Sequence, residues 1–387
     1  MIHRISSGCK FFVALAVILP VLAISQTNPP QRMPISGKAQ ILETLERANQ
    51  YFMQKWQDVG KIIYVPSKHK SWPSHIWTRG VYYEGLMAFN KVDPKPEYIQ
   101  YAMDWGEAHD WSLRGGNETR NADNQCAGQT YIDLAILKKD TSLMSNIKAS
   151  IDAMLATGKI DDWSWVDAVQ MAMPVFSRLG SITGNTAYYE RMWEMYHYTR
   201  SRLNERGLFD TKNHLWWRDK DFMPPYKEPN GADCYWSRGN GWVAAALVRV
   251  LDGLPKSEPH YNDYLQDYKD MMQAILQYQT KEGYWNVSLA DPTHFGGKEL
   301  TGTALFTYAM AWGLNQGILN KATFIEPVNK AWKSLISCVH PNGFLGFVQG
   351  TGKEPKDSQP VNFNHEPDFE DFGLGCLLLA GSEVYKL

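Results

Sequence analysis

The chain has 387 residues, 44% of them hydrophobic and 21% charged, which is enough apolar surface for a large core and excludes disorder over most of its length. Its net charge is −2 and no Lys/Arg-rich block occurs, which argues against a nucleic-acid partner, because neutralising phosphates takes a basic surface. Aromatic content stands out at 15 Trp, 20 Tyr and 15 Phe, rings that either fill a core or stack on the apolar faces of sugars.

In chain order, residues 1–25 read as a secretory signal peptide. Arg4 and Lys10 supply its positive start. Phe11 to Ile24 is an uncharged apolar run, short for a membrane span, and Ala23-Ile24-Ser25 is a small-x-small cleavage site. An uncleaved N-terminal anchor is the alternative. Removing the two positive charges of this segment takes the net charge from −2 to −4. The expected location is periplasmic or secreted, with no membrane attachment after cleavage. Residues 26–37 form a Pro- and Gln-rich extended leader.

From Lys38 the chain reads as helices joined by short loops. The first spans about Lys38 to Trp56 and places Ile41, Leu42, Leu45, Ala48 and Phe52 at helical spacing. Further helices begin near Trp77, Pro96, Asn124, Leu143, Val166, Thr186, Arg238, Asn262, Thr301, Thr323 and Asp371. The odd members are polar on one face, as Lys148 and Asp152 are beside Ile147, Ile151 and Met154. The even members are rich in small residues, such as Ala127-Gly128, Ala244-Ala245-Ala246 and Gly373 with Gly375, which allow close helix approach. Three Gly-aromatic turns, at Gly207, Gly283 and Gly343, read as short β-hairpins and as a weak internal repeat. Six helical hairpins closing on themselves make an all-α (α/α)6 barrel over residues 38–387. An open solenoid would lack the contrast between inner and outer helices.

In such a barrel the N-termini of the even helices share one end. That end would gather Trp77, Asp123, Trp165, Asp167, Arg238, Trp242, Thr301, Thr303, Glu370 and Asp371. Two carboxylates, an arginine and several tryptophans then meet at one mouth, where helix N-termini also favour negative charge. Each residue alone has a plainer role. Asp123 and Asp167 are equally suited to capping a helix, Arg238 to a structural ion pair, Trp242 to the core and His214 to packing in a hairpin. Lys298-Glu299 reads as solvated charge. Cys126 and Cys376 read as buried free thiols, and no cysteine pair has CxxC spacing. No recognised metal-ligand spacing and no phosphate-binding Gly-rich loop is found.

At these positions the sequence resembles the unsaturated glucuronyl and rhamnogalacturonyl hydrolases, most closely glycoside hydrolase family 105, a relative of family 88. The resemblance rests on Trp165-Val166-Asp167-Ala168, on Met171-Ala172-Met173-Pro174, on Arg238-Gly239-Asn240-Gly241-Trp242 and on Thr301-Gly302-Thr303-Ala304-Leu305-Phe306. It implies an (α/α)6 barrel that removes a terminal 4,5-unsaturated uronic acid from oligosaccharides left by polysaccharide lyases. It also implies Asp167 as the acid that protonates C4 and Asp123 as its ionised partner. Trp77, Trp165, His214, Arg238 and Trp242 would contact the sugar, with Arg238 the candidate for its carboxylate or a hydroxyl. No metal or organic cofactor is implied. An ordinary glycosidase using the Asp123/Asp167 pair and a non-catalytic sugar binder are the competing readings.

Overall fold

A computed structural model describes residues 1–2 and 37–387. The expected signal peptide, apart from residues 1–2, and nearly all of the expected leader lie outside the described residues. Contacts divide the chain into Met1–Met33 and Pro34–Leu387, and the second unit holds every element described below.

The inner helices follow one another around a closed ring. They are α2 (Trp77–Val92), α4 and α5 (Ala122–Gln125 and Ala127–Lys138), α7 (Asp167–Thr183), α9 (Ser237–Gly253), α11 (Leu300–Asn315) and α13 (Asp371–Val384). Each packs on the next, and α13 packs back on α2. The outer helices are α1 (Lys38–Lys55), α3 (Pro96–Glu107), α6 (Ser145–Leu155), α8 (Ala187–Ser201), α10 (Tyr261–Leu276) and α12 (Lys321–Ile336). The result is the expected (α/α)6 barrel. Its one departure in helix count is a break at Cys126 that splits the fourth expected helix into α4 and α5.

The division into two rings follows from the side chains. In α11 every residue from Leu300 to Gly313 is buried, as befits a helix covered on all sides. In α10 burial is confined to one face, carried by Tyr261, Tyr264, Tyr268, Met271 and Ile275 among others. Small residues set the inner spacing. A Cβ on Gly85 of α2 would stand 2.5 Å from the Gly375 carbonyl oxygen of α13, so these two helices meet backbone to backbone.

Strands are few. Phe209–Asp210 (β3) and Leu215–Trp216 (β4) form the hairpin expected after Gly207. The turns at Gly283 and Gly343 do not form full hairpins; each region contributes a single bridge, Trp236 to Ser288 and Val339 to Leu345. An additional hairpin, Ile63–Val65 (β1) with Lys70–Trp72 (β2), stands beside the mouth and was not expected. Its turn passes through His69 at φ 45°. The described cysteines Cys126, Cys234, Cys338 and Cys376 are all free and buried.

A polar cluster ties the inner helices together inside the barrel. Gln170 Nε2 on α7 donates to Glu84 Oε2 on α2 at 2.8 Å, and Arg249 Nε on α9 lies 3.7 Å from the same oxygen. Arg249 Nε also donates to Gln129 Oε1 on α5 at 2.9 Å. Burial raises the Glu84 carboxyl above the usual range, and Arg249 pulls it back. Removing one partner of such a pair strands the other charge in the interior. Glu84→Ala is therefore expected to cost roughly 3–5 kcal/mol of unfolding free energy. Urea denaturation measures it, and a loss as small as that of a surface pair would show that the cluster does not brace the ring.

Candidate active site

One cavity of about 170 Å³ opens at the end of the barrel where the inner helices begin. Trp77, Asp123, Trp165, Asp167, Arg238 and Trp242, all expected from the sequence, line it. Met171, Arg218, Trp236, Thr351 and Gly352 complete the wall.

Neither aspartate caps a helix. The cap of α4 is Asn121, whose side chain accepts from the Asn124 N–H at 3.2 Å. Asp123 is thus free to turn into the cavity. Asp167 is the first residue of α7, and Val166 occupies the cap position. Asp167 Oδ2 instead accepts from Arg218 Nε at 2.8 Å. The backbone explains this meeting. Trp165 bridges Asp219, and the Val166 N–H donates to the Arg218 carbonyl at 2.9 Å. The segment leaving β4 is therefore laid antiparallel to the entry of α7, which brings together side chains 51 positions apart.

Ionisation follows from these partners. Burial, and next the negative charge of Asp167, push the Asp123 carboxyl up to about 6, against the smaller opposing pull of Arg218 and Arg114. The resemblance implies an ionised Asp123, whereas its burial beside Asp167 raises this carboxyl instead.

Arg238 has a different task from the expected one. Nη1 donates to the Gln349 carbonyl at 2.6 Å and Nη2 to the Gly350 carbonyl at 2.8 Å. Its guanidinium lies over Trp236 and Phe372, and the residue is 1% exposed. Both ends of its fork are spent on holding the loop that delivers Thr351 and Gly352 to the cavity. The Thr351 N–H donates to Asp368 Oδ1 at 2.8 Å, and Lys68 pairs with Asp368 at 2.6 Å. Glu299, expected to be solvated, is 1% exposed. It caps α11 through the Thr301 and Gly302 N–H groups and also accepts from the Gln349 N–H.

The aromatic lining has two parts. Trp236 and Trp242 are buried and form its floor, with Trp236 Nε1 donating to Gln349 Oε1 at 3.0 Å. Trp77 and Trp165 are only half-buried and offer ring faces. Trp77 meets Trp242 edge-on at 6.3 Å between centroids. Trp163, two residues before Trp165, is core and packs against Phe176.

His214 is not part of the site. It occupies the turn between β3 and β4 at φ 54°, with Nδ1 3.8 Å from Asp270 on α10. The turn carries it away from the mouth, and Arg218, four residues later, takes the place beside Asp167. Among the described residues there is no group of three or more His, Cys, Asp or Glu placed to hold a metal ion.

The sequence profile of Glycosyl Hydrolase Family 88 matches residues 44–387. The chain belongs to this family. It is similar to an unsaturated 3S-rhamnoglycuronyl hydrolase of Formosa agariphila, at 32% identity over 80% of this chain and 84% of the relative. Among solved structures it matches a family 88 glycosyl hydrolase from Bacteroides vulgatus at 31% identity and a TM-score of 0.80, covering 91% of this chain and 100% of that one. A solved chain named as a polysaccharide lyase matches at 30% identity and a TM-score of 0.80, covering 90% and 98%.

Proposed function

We infer that this family 88 enzyme removes a terminal 4,5-unsaturated uronic acid from lyase-generated oligosaccharides by hydrating the C4=C5 bond. The observation that carries this reading is the pair of carboxyls, Asp123 and Asp167, beside half-buried tryptophan faces in a cavity of about 170 Å³. Such a space suits a single sugar ring at the end of a chain.

The chemistry follows from the substrate. Its C4=C5 bond is part of an enol ether, so C4 is electron-rich. A carboxylic acid protonates C4, and positive charge appears at C5 and the ring oxygen. The resulting carboxylate takes a proton from water as that water adds to C5. The hemiketal so formed opens to a C5 ketone, and the former ring oxygen becomes a hydroxyl on C1. C1 is then a hemiacetal and expels the remaining oligosaccharide. The glycosidic carbon is never attacked, so carboxyl separation carries no message about retention or inversion. Asp167 is the proposed proton donor and acceptor, and Asp123 the proton reservoir beside it. Trp77 and Trp165 stack on the ring, while Trp242 and Arg238 support the wall.

The test is a panel of lyase products from pectin, arabinogalactan, glycosaminoglycan and ulvan, followed by the absorbance of the conjugated double bond. The name of the Formosa relative makes an unsaturated glycuronyl-rhamnose the first to try. Loss of absorbance with release of the shortened oligosaccharide supports the reading. Cleavage of saturated glycosides alone would indicate an ordinary glycosidase. A rise in absorbance on intact polysaccharide would indicate a lyase, and binding with no turnover a sugar-binding protein.

One pH effect follows from Asp123. Its carboxyl titrates at about 6, so the free enzyme holds this proton below that value and loses it above. The value of kcat/KM is expected to be highest below about pH 6 and to fall as pH rises through it. Asp123→Asn removes the titrating group and should abolish the break. A break at the same pH in the variant would assign it elsewhere. We also propose export directed by residues 1–25; an exported protein whose N-terminus is not Gln26 would contradict that cleavage site.

A further inference from the structure

Resting on this reading, we propose that Arg218 is the receptor for the carboxylate of the unsaturated uronate, and that it exchanges its bond to Asp167 for one to the substrate. Two guanidinium groups line the cavity, those of Arg218 and Arg238. Arg238 has both terminal nitrogens on backbone carbonyls and is almost wholly buried. Arg218 is held differently. Nη1 is anchored to Asp219 Oδ2 at 2.6 Å, and Asp219 Oδ1 is fixed in turn by the Asp221 N–H at 2.8 Å. Nε rests on Asp167. Nη2 makes no hydrogen bond to any described residue. Arg218 therefore has one anchored corner and an edge, Nε with Nη2, of the shape that a carboxylate takes in two parallel bonds.

Connectivity in the substrate fits this position. The carboxyl carbon is bonded to C5, and C5 to C4, where the proton must arrive. The cation that holds the carboxylate and the acid that protonates C4 must then be neighbours. Arg218 and Asp167 are neighbours, 2.8 Å apart.

The exchange has a consequence for the acid. The charged groups around Asp167 are Asp123 from α4, Arg238 from α9, and Arg218 with Asp219 from the segment after β4, while Arg114 acts on Asp123. When the substrate carboxylate occupies Arg218, Asp167 loses its close counter-ion and stays beside Asp123 and a new negative charge. All of these changes favour its protonated form. Asp167 takes that proton from Asp123 or from solvent, delivers it to C4, and regains one from the water that adds to C5. The substrate thus arms its own acid, and an uncharged sugar in the same cavity would not.

The experiment compares the unsaturated uronide with its methyl ester, on wild-type enzyme, Arg218→Gln and Arg218→Lys, with melting temperature as the check on folding. Wild type is expected to favour the free acid in kcat/KM by on the order of 10²-fold or more. Arg218→Gln should bring that ratio close to one, chiefly through KM for the acid, and Arg218→Lys should keep part of it. A second readout is proton uptake when wild type binds an unreactive saturated glycuronide, measured calorimetrically in two buffers near pH 7. About one proton is expected. An unchanged acid-to-ester ratio in folded Arg218→Gln, or binding of the saturated uronide without proton uptake, overturns the proposal. Both results leave double-bond hydration by wild type intact; absence of that hydration would instead overturn the functional reading.

Discussion

Asp167→Asn is expected to lower kcat on the unsaturated oligosaccharide by about 10²–10⁴-fold, the usual contribution of a positioned acid–base group, with little change in melting temperature. The amide has nearly the same shape and can still accept from Arg218 Nε through its oxygen, so the packing of the α7 entry is preserved. It cannot give up a proton to C4 or take one from water. Its affinity for the oligosaccharide should survive, because the tryptophan faces and Arg218 remain. Stopped-time assays of double-bond loss, with calorimetric binding of the same oligosaccharide, separate these effects. Retention of wild-type turnover in the variant would remove Asp167 from the chemistry and pass the acid role to Asp123.

Arg238→Lys is expected to damage the protein in another way. A lysine has no planar fork and cannot satisfy the Gln349 and Gly350 carbonyls together, nor lie flat between Trp236 and Phe372. At least one buried carbonyl is then left unpaired, at a cost of about 1–3 kcal/mol. The loop carrying Thr351 and Gly352 loosens, and turnover drops for free acid and methyl ester alike. Denaturant unfolding and the acid-to-ester ratio check both points. A stable Arg238→Lys protein that had lost its preference for the free acid would make Arg238, not Arg218, the carboxylate receptor.

The barrel was legible because its signals are local. Helical spacing marks where each helix starts, and small residues distinguish the inner ring from the amphipathic outer one. The end at which Trp77, Asp123, Trp165, Asp167, Arg238 and Trp242 gather follows from that alternation alone. What escaped depends on pairings between distant segments. Arg218 reaches Asp167 only because the segment after β4 runs against the entry of α7, and neither segment has a pattern that announces it. The resemblance implies His214 in the site, yet a hairpin reverses direction at that residue. Thr351 and Gly352 come from a long loop without periodicity, fixed by Arg238, Asp368 and Glu299 through side-chain bonds. The raised Asp123 carboxyl escaped for the same reason: an aspartate's ionisation is set by its neighbours in space.

Cleavage by protonation of C4 and hydration of C5 leaves the glycosidic carbon untouched. The most direct measurement follows double-bond loss and oligosaccharide release together, on two unsaturated uronides that differ only in an oxygen or a sulfur at the glycosidic link. Hydration does not depend on the leaving atom, so both substrates should lose the double bond at similar rates, one for each oligosaccharide released. An inert sulfur compound, or release that runs ahead of double-bond loss, would contradict the account.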